Sequence, residues 1–185
     1  MTGDGEILTN DAADPFALLG LPRRFDLSDA EIEAAFLARL ANVHPDLAGE
    51  EASVDAAALT AARGTLADPE RRAGALLRLL GGPSASDDPA LPEGFLMEIM
   101  ELREEVEADL ASQGAEARRR WSAFAEERRR SHLARVAELF EAAMATPGPE
   151  TLRGVRQELN AWRYTERLIE QLDPGYNPAR ADFAG

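Results

Sequence analysis

Residues 28–46 read SDAEIEAAFLARLANVHPD, and this stretch decides the fold predicted for the N-terminal part of the chain. Ser28 and Glu31 have the spacing of a capping box, which marks the start of a helix. The apolar residues that follow recur at helical spacing on one side of that helix: Ile32, Phe36, Leu40 and Val43. Pro45 ends the helix, because the residue before a proline avoids the helical region. The stretch therefore predicts a capped amphipathic helix to about residue 43, followed by a loop.

Shorter helices are predicted on both sides of this stretch. An Asp-Pro pair at 14–15 supplies a cap and a first helical residue, and Gly20 lies just past the predicted end. A third helix is predicted over about 53–67, with Leu59, Ala62 and Leu66 on one stripe. A second Asp-Pro pair at 68–69 opens a fourth helix, which ends at the glycine pair 81–82.

Residues 81–92, GGPSASDDPALP, form the clearest internal boundary, because they are rich in turn-forming residues and lack an apolar period. Three longer helices are predicted after it, over about 92–111, 115–145 and 149–172. No stretch alternates in the manner of a strand, so the predicted fold class is all-α. The predicted organisation is a disordered tail at 1–13, a helical unit at 14–81, a linker at 82–92, a three-helix bundle at 93–172 and a tail at 173–185.

The composition excludes several classes of function. The 185 residues include 20 basic and 34 acidic side chains, for a formal charge of −14, which disfavours nucleic acid as a partner. There is no cysteine, so disulfides and thiolate metal sites are excluded, and a cytoplasmic location is compatible. No run of about 18 apolar residues occurs, so we expect no membrane-spanning helix. We also expect neither a cofactor nor a bound metal.

Residues 95–110, FLMEIMELREEVEADL, place two apolar sets on one helix. The first set lies within one narrow arc, at about 100° per residue, and is predicted to enter the bundle core: Phe95, Ile99, Leu102, Val106 and Leu110. Leu96, Met97 and Met100 lie roughly 100–200° away from that arc. Together with Tyr164, this second set is predicted to form one exposed apolar patch that binds a partner, because exposed apolar patches mark interaction sites. The alternative is that the set packs against the N-terminal unit.

His44-Pro45-Asp46 is the sharpest local motif, and it lies in the loop between two predicted helices of similar length. Taken alone, the tripeptide is also compatible with a simple surface turn. His44 and Asp46 form a conceivable acid–base pair, but no nucleophile or glycine-rich phosphate loop accompanies them. We therefore expect no enzymatic activity of the chain itself.

The position of His44-Pro45-Asp46 resembles that of the loop by which a J-domain activates the ATPase of a DnaK-type chaperone. Three further stretches resemble the HscB family, the J-domain co-chaperones of iron–sulfur cluster assembly: 14–22 (DPFALLGLP), 66–81 (LADPERRAGALLRLLG) and 95–105 (FLMEIMELREE). An Arg-Tyr pair at 163–164 is similar to an Arg-aromatic pair on the family's last helix. The resemblance covers about 14–172 and implies an L-shaped chain, with a J-domain at 14–81 and a scaffold-binding bundle at 93–172.

The resemblance implies two partners and a function. A DnaK- or HscA-type ATPase chaperone would bind the J-domain, through four residues: Arg39, His44, Pro45 and Asp46. The iron–sulfur scaffold protein IscU would bind the bundle, through seven residues: Leu96, Met97, Met100, Glu101, Arg103, Glu104 and Tyr164. The implied function is a co-chaperone that stimulates the chaperone ATPase and delivers the scaffold to it, aiding cluster assembly or transfer.

One departure from the family pattern leaves a second hypothesis open. Arg39 is the only basic residue in 34–43, whereas many J-domains carry a basic run on this helix. Charge complementarity mainly sets encounter rate and specificity, so docking to the chaperone is the part of the resemblance most affected. The alternative is a helical adaptor with a degenerate J-domain, which binds a client but does not activate a chaperone ATPase.

The sequence also predicts whether three further features of the C-terminal half are buried or exposed. Tyr164 lies about half a turn from Val155, so it is predicted off the core or, alternatively, as a filler between the domains. His132 has no second metal ligand at suitable spacing and is predicted on a helix surface. The arginine runs at 118–120 and 128–130 lie on one helix with Glu116, Glu126 and Glu127 and are predicted on a solvated, salt-bridged face.

Overall fold

The computed structural model of the protein describes residues 14–42 and 50–173. Over these residues the chain is all-helical, as predicted, and contains no strand. The helices are α1 Pro15–Leu19, α2 Asp29–Ala41, α3 Glu50–Ala67, α4 Pro69–Leu79, α5 Phe95–Gln113, α6 Ala115–Ala145 and α7 Pro149–Leu172. Across the described ranges, no helix is long and apolar enough to cross a membrane. The chain divides into two units between Leu79 and Leu80.

A buried carboxylate begins the first unit. The Asp14 side chain is fully buried and accepts hydrogen bonds from the backbone N–H groups of Phe16, at 2.9 Å, and Ala17, at 3.3 Å. The Arg23 guanidinium pairs with the same carboxylate at 2.7 Å, so the buried charge has a partner. Gly20 ends α1 with a φ of 70°, a left-handed conformation that a side chain disfavours. Both ends of α1 are therefore fixed by the predicted residues.

The capping box predicted at the start of α2 is present. The Ser28 hydroxyl accepts a hydrogen bond from the Glu31 N–H at 3.2 Å, and the Ser28 N–H donates to the Glu31 carboxylate at 2.8 Å. The hydroxyl also donates to that carboxylate, at 2.7 Å. Hydrogen bonds from the hydroxyl and then the N–H of Ser28 hold the pKa of Glu31 below its ordinary value. Contacts within residues 28–31 therefore determine where α2 starts.

One ion pair shows the register of α2 against α3. Arg63 pairs with Glu33 at 2.5 Å and lies over the Phe36 ring at 5.3 Å from its centroid. Because the start of α2 contacts the second half of α3, the two helices run antiparallel. Leu40 follows Ile32 and Phe36 at helical spacing on one side of α2, as predicted, and is 38% exposed.

The second unit is a bundle of α5, α6 and α7 around a shared core. Each helix contributes buried side chains to that core: Phe95, Ile99, Leu102 and Val106 from α5, Ala125 from α6, and Ala161, Leu168 and Leu172 from α7. Leu110 is partly buried and packs against the same cluster. The arc predicted for α5 is therefore confirmed.

Arginines of both α6 runs are paired with acidic side chains, as predicted, but three of the pairs reach neighbouring helices, and Arg128 and Arg129 are partly buried rather than on a solvated face. Arg128 pairs with Glu98 of α5 at 2.6 Å, and Arg129 donates to Glu166 of α7 at 2.7 Å. The hydrogen bond to Glu166 is the main cause of the raised pKa of Arg129. In the first run, Arg120 pairs with Asp109 of α5. These contacts link α6 to both of its neighbours in the bundle.

The segment before α5 is held against α7 by polar contacts. The Asn160 side-chain amide donates to the carbonyls of Asp88, at 3.0 Å, and Ala90, at 2.8 Å. Arg153 also pairs with the Asp88 carboxylate, at 3.7 Å. Part of the predicted linker at 82–92 is therefore fixed to the bundle, which determines where α5 begins.

Asp14→Ala tests the buried cap. The change removes the acceptor for two N–H groups at the start of α1, so we expect the free energy of unfolding to fall by about 1–2 kcal/mol. Urea unfolding followed by far-ultraviolet circular dichroism measures this. Asp26→Ala is the control, because its exposed carboxylate should cost less than about 0.5 kcal/mol. Equal losses in the two variants would contradict the role given to Asp14.

Candidate functional site

The first turns of α5 carry most of the residues predicted to bind a client. The helix begins at Gly94, which has a φ of 78° and provides no side-chain cap. The Phe95 N–H donates to the Pro92 carbonyl at 3.1 Å, and the Glu98 N–H donates to the Gly94 carbonyl at 3.2 Å. The start of α5 therefore lacks a side-chain cap. Its first turn is held in place instead by side-chain contacts with α6 and α7.

Phe95 makes those contacts. Its ring is 6% exposed and lies edge-on to two rings, His132 of α6 at 6.5 Å and Tyr164 of α7 at 6.0 Å between centroids. The Arg128 guanidinium lies over the same ring, 5.5 Å from its centroid, while pairing with Glu98. Edge-to-face ring pairs contribute about 0.5–1.5 kcal/mol beyond burial, and a cation–π contact about 0.5–1 kcal/mol. Phe95 therefore fixes which side of α5 faces the bundle.

Leu96, Met97 and Met100 lie on the other side of α5. Their exposed fractions are 53%, 70% and 57%, which are high for large apolar side chains. Spacings of three and four residues place Met100 next to both of the others on the helix surface. The exposure predicted for these three side chains is confirmed, and we call Leu96, Met97 and Met100 the apolar patch.

Charged side chains accompany the apolar patch on the outer face of α5. Glu101 and Glu104 are exposed, and Arg103 is half-buried. Two carboxylates and one guanidinium leave this rim with a net negative charge. The surface would therefore favour a partner that combines apolar side chains with basic ones.

Tyr164 is not on the open surface, so the expectation of exposure is wrong for this residue. It is half-buried, packs against the bundle core through Phe95, and has the Arg167 guanidinium 5.9 Å from its ring centroid. The reason is that α7 buries a second face, made by Ala161, Leu168 and Leu172, roughly 120° round the helix from Val155 of the main stripe. Tyr164 flanks this second face and lies beside the first turn of α5.

His132 was predicted on a helix surface and is buried instead, at 8% exposure. Its Nδ1 lies 2.6 Å from the Glu158 carboxylate, and its Nε2 lies 3.0 Å from the hydroxyl of the fully buried Thr165. The signal was present in the sequence, because His132 is seven residues after Ala125 and four before Val136, on the buried side of α6. The prediction considered only its immediate neighbours.

The residues predicted to bind a chaperone are only partly described. His44, Pro45 and Asp46 lie outside the described residues, as does Val43. Arg39 is exposed in the last turn of α2, and its Nη2 lies 2.5 Å from where a Cβ on Gly20 would be, so the guanidinium rests on the end of α1. Leu37 and Leu40 on the same helix are 54% and 38% exposed.

Three basic side chains in a groove along α6 are each paired with a glutamate. A surface groove of about 420 Å³ runs along α6 and contains Arg128, His132 and Arg135. Arg128 and His132 pair with glutamates as described above, and Arg135 pairs with Glu138 at 3.0 Å. In the part of the chain that the structure describes, no group of three acidic or histidine side chains is arranged to hold a metal ion.

Comparisons with known proteins agree on one family. A family model described as the HSCB C-terminal oligomerisation domain matches residues 91–173. A "Co-chaperone protein HscB homolog" from Burkholderia mallei is 33% identical over 146 residues, which cover 75% of this chain and 83% of that protein. The structure of chaperone HscB from Vibrio cholerae has a TM-score of 0.68 and 28% identity, over 86% of this chain and 94% of the other. Human co-chaperone protein HscB shares the fold, with a TM-score of 0.67 and 22% identity over 86% and 80% of the two chains.

The relatives and the two helical units define the class of protein as a helical co-chaperone. Within that class, the chain belongs to the HscB family. The resemblance first seen at 14–22, 66–81 and 95–105 is therefore confirmed, and it extends to the whole bundle through the match at 91–173.

Arg128→Ala tests the contacts around Phe95. It removes the cation over the ring and the ion pair with Glu98, so we expect the bundle to lose about 1 kcal/mol of unfolding free energy. Both tryptophans, Trp121 and Trp162, lie in the bundle, so urea unfolding followed by tryptophan fluorescence reports on it.

Arg130→Ala is the matched control for Arg128→Ala. Arg130 pairs with Glu127 on the exposed face of the same helix, and such pairs contribute less than about 0.5 kcal/mol. A loss as large in this control as in Arg128→Ala would show that the contacts with Phe95 contribute nothing beyond an ordinary surface pair.

Proposed function

We propose that this co-chaperone binds the iron–sulfur scaffold protein IscU on its bundle and a DnaK- or HscA-type chaperone on its J-domain, stimulates the chaperone ATPase, and thereby aids cluster assembly or transfer in the cytoplasm. The observation that carries the proposal is the apolar patch on α5, three adjacent large side chains that are each more than half exposed. Exposed apolar patches of this kind mark interaction sites, and methionine side chains adapt to a partner's surface.

Each side chain of the apolar patch has surface left to bury on binding. Full burial of a Leu or Met side chain contributes about 1.5–3 kcal/mol, so half-exposed side chains retain a substantial part of that gain for a partner. The acidic rim of Glu101 and Glu104 adds specificity for a client with basic side chains near an apolar one. Tyr164 belongs to the proposed site as a support for Phe95 and contributes its remaining exposed edge.

The proposed mechanism is tethering. One chain that binds the scaffold and the chaperone at once turns their encounter into an intramolecular event, with an effective concentration on the order of millimolar for a short connection. The chain then acts as a regulator of a partner's ATPase and needs no catalytic residues of its own. Client binding and activation of the chaperone can be tested separately, because client binding depends on the apolar patch and activation depends on the J-domain.

Leu96→Ala combined with Met100→Ala tests the client surface. Truncation of central apolar side chains at an interface costs about 2 kcal/mol or more, so we expect scaffold affinity to fall by more than about tenfold. Because both side chains are exposed in the free protein, the free energy of unfolding should change by only about 0.5 kcal/mol. Titration calorimetry and urea unfolding measure the two quantities.

Met144→Ala is the matched control for the double variant, since Met144 is 49% exposed on α6 and lies outside the apolar patch. It should leave scaffold affinity unchanged. Unchanged affinity in the double variant, or a large loss of its stability, would mean that Leu96 and Met100 do not form the client surface.

The J-domain half of the proposal rests on the helices that flank the loop. α2 and α3 are antiparallel, and Arg39 is exposed in the last turn of α2, five residues before His44 in the sequence. In this proposal Asp46 pairs with an arginine of the chaperone, while His44 and Pro45 shape the loop.

His44→Gln and Asp46→Asn test this half separately. Each should abolish stimulation of the chaperone ATPase, because the exchanged groups are those proposed to contact the chaperone. The circular dichroism spectrum, the melting temperature and scaffold affinity should stay as in the unaltered protein. Full stimulation by either variant would remove His44-Pro45-Asp46 from the mechanism.

The adaptor alternative is favoured by one observation. The last turns of α2 expose Leu37 and Leu40 and carry a single base, Arg39, where a chaperone-docking helix would be expected to carry several. If the unaltered protein binds the scaffold but never stimulates its chaperone's ATPase, the chain functions as an adaptor with a degenerate J-domain.

A further inference from the structure

All the sulfur in this chain is in methionine. The sequence has four methionines and no cysteine, so reversible oxidation of a side-chain sulfur can occur only at a thioether. The structure describes three of the four, Met97, Met100 and Met144, and they are 70%, 57% and 49% exposed. A methionine in a packed core is shielded from dissolved oxidants, and these three are not.

Two of the three exposed methionines lie together on the apolar patch. Met97 and Met100 are three residues apart on α5, so their side chains are neighbours on the helix surface. They make up two of the three side chains of that patch. Met144 lies on α6, outside the patch, with a similar exposure.

We propose that Met97 and Met100 are a redox modification site of the free protein, at which a peroxide oxidises the thioethers and thereby prevents the client from binding to the apolar patch. The inference rests on the proposed function of that patch. It goes beyond that function, because the oxidation state of two side chains would determine whether the client binds.

The chemistry is a two-electron oxygen transfer. The sulfur lone pair attacks one oxygen of hydrogen peroxide, the O–O bond breaks, the thioether becomes a sulfoxide, and the peroxide is reduced to water. The reverse step uses a dithiol reductant, which becomes a disulfide while the sulfoxide oxygen leaves as water. Each cycle therefore consumes one peroxide and one dithiol for each methionine and leaves the chain as it began.

The effect on binding follows from polarity. A sulfoxide carries a strong hydrogen-bond acceptor, and burying it in an apolar interface without a donor costs enough to weaken binding by about tenfold or more. The bundle should stay folded, because Met97 and Met100 are exposed and the Phe95 contacts on the opposite side of α5 are untouched. Oxidation would then switch binding without unfolding the protein.

The experiment compares the full chain before and after treatment with hydrogen peroxide. Catalase removes the peroxide before the scaffold is added, so that only this protein is oxidised. Peptide mass spectrometry measures sulfoxide at each methionine, circular dichroism checks the fold, and titration calorimetry measures scaffold affinity. We expect sulfoxide at Met97 and Met100, an unchanged fold, an affinity lowered about tenfold or more, and recovery after treatment with a methionine sulfoxide reductase.

Two variants separate the patch from general oxidation. In Met97→Leu combined with Met100→Leu, peroxide treatment should leave affinity as it was for that same variant untreated. Met144→Leu should bind like the unaltered protein and lose affinity on oxidation to the same extent. A loss on oxidation of the double-Leu variant, or none in the unaltered protein once both sulfoxides are present, would overturn the inference.

The remaining outcomes also have fixed meanings. Failure of peroxide to oxidise Met97 and Met100 at concentrations that oxidise free methionine would overturn the modification site. If the untreated protein does not bind the scaffold at all, the proposed function itself fails, and the inference fails with it. Binding by the untreated protein that is insensitive to oxidation would overturn the inference alone.

Discussion

The packing of Phe95 against His132 and Tyr164 is the contact on which the orientation of the apolar patch depends. α5 starts without a side-chain cap, so the rotation of its first turns is set by the side chains that it buries, Phe95 first and Ile99 one turn later. On a helix, burying residue 95 turns residues 96, 97 and 100 toward solvent. The same short stretch therefore carries both core packing and the proposed partner surface, and a change at Phe95 would alter both.

Polar contacts fix the ends of helices and link neighbouring helices, in addition to the apolar packing of the core. Asp14 caps α1 from a fully buried position because Arg23 neutralises it, and Arg128 reaches across from α6 to both the ring of Phe95 and Glu98. Several arginines of this acidic chain, which has a formal charge of −14, form ion pairs between elements in this way. The exposed face of α5 is left apolar and acidic, which suits a basic client and does not suit a nucleic acid.

Sequence alone predicted the features that are set by near neighbours. The ends of α1 and the start of α2 depend on caps within a few residues, and the core side of α5 depends on a single helical period. His132 and Tyr164 were misplaced because their surroundings depend on other helices. α7 buries a second face that no single stripe reveals. Such information becomes available only when the helices are assembled.

The most direct measurement uses protein carrying ¹³C only in its methionine methyl groups, so that four resonances report on the whole chain. Unlabelled scaffold protein is titrated in, and each methyl signal is followed by NMR. If Phe95 directs the apolar patch toward a client, the Met97 and Met100 signals shift or broaden as scaffold is added, while the Met144 signal stays in place. Shifts confined to Met144, or binding that leaves Met97 and Met100 unchanged, would show that the client surface lies elsewhere.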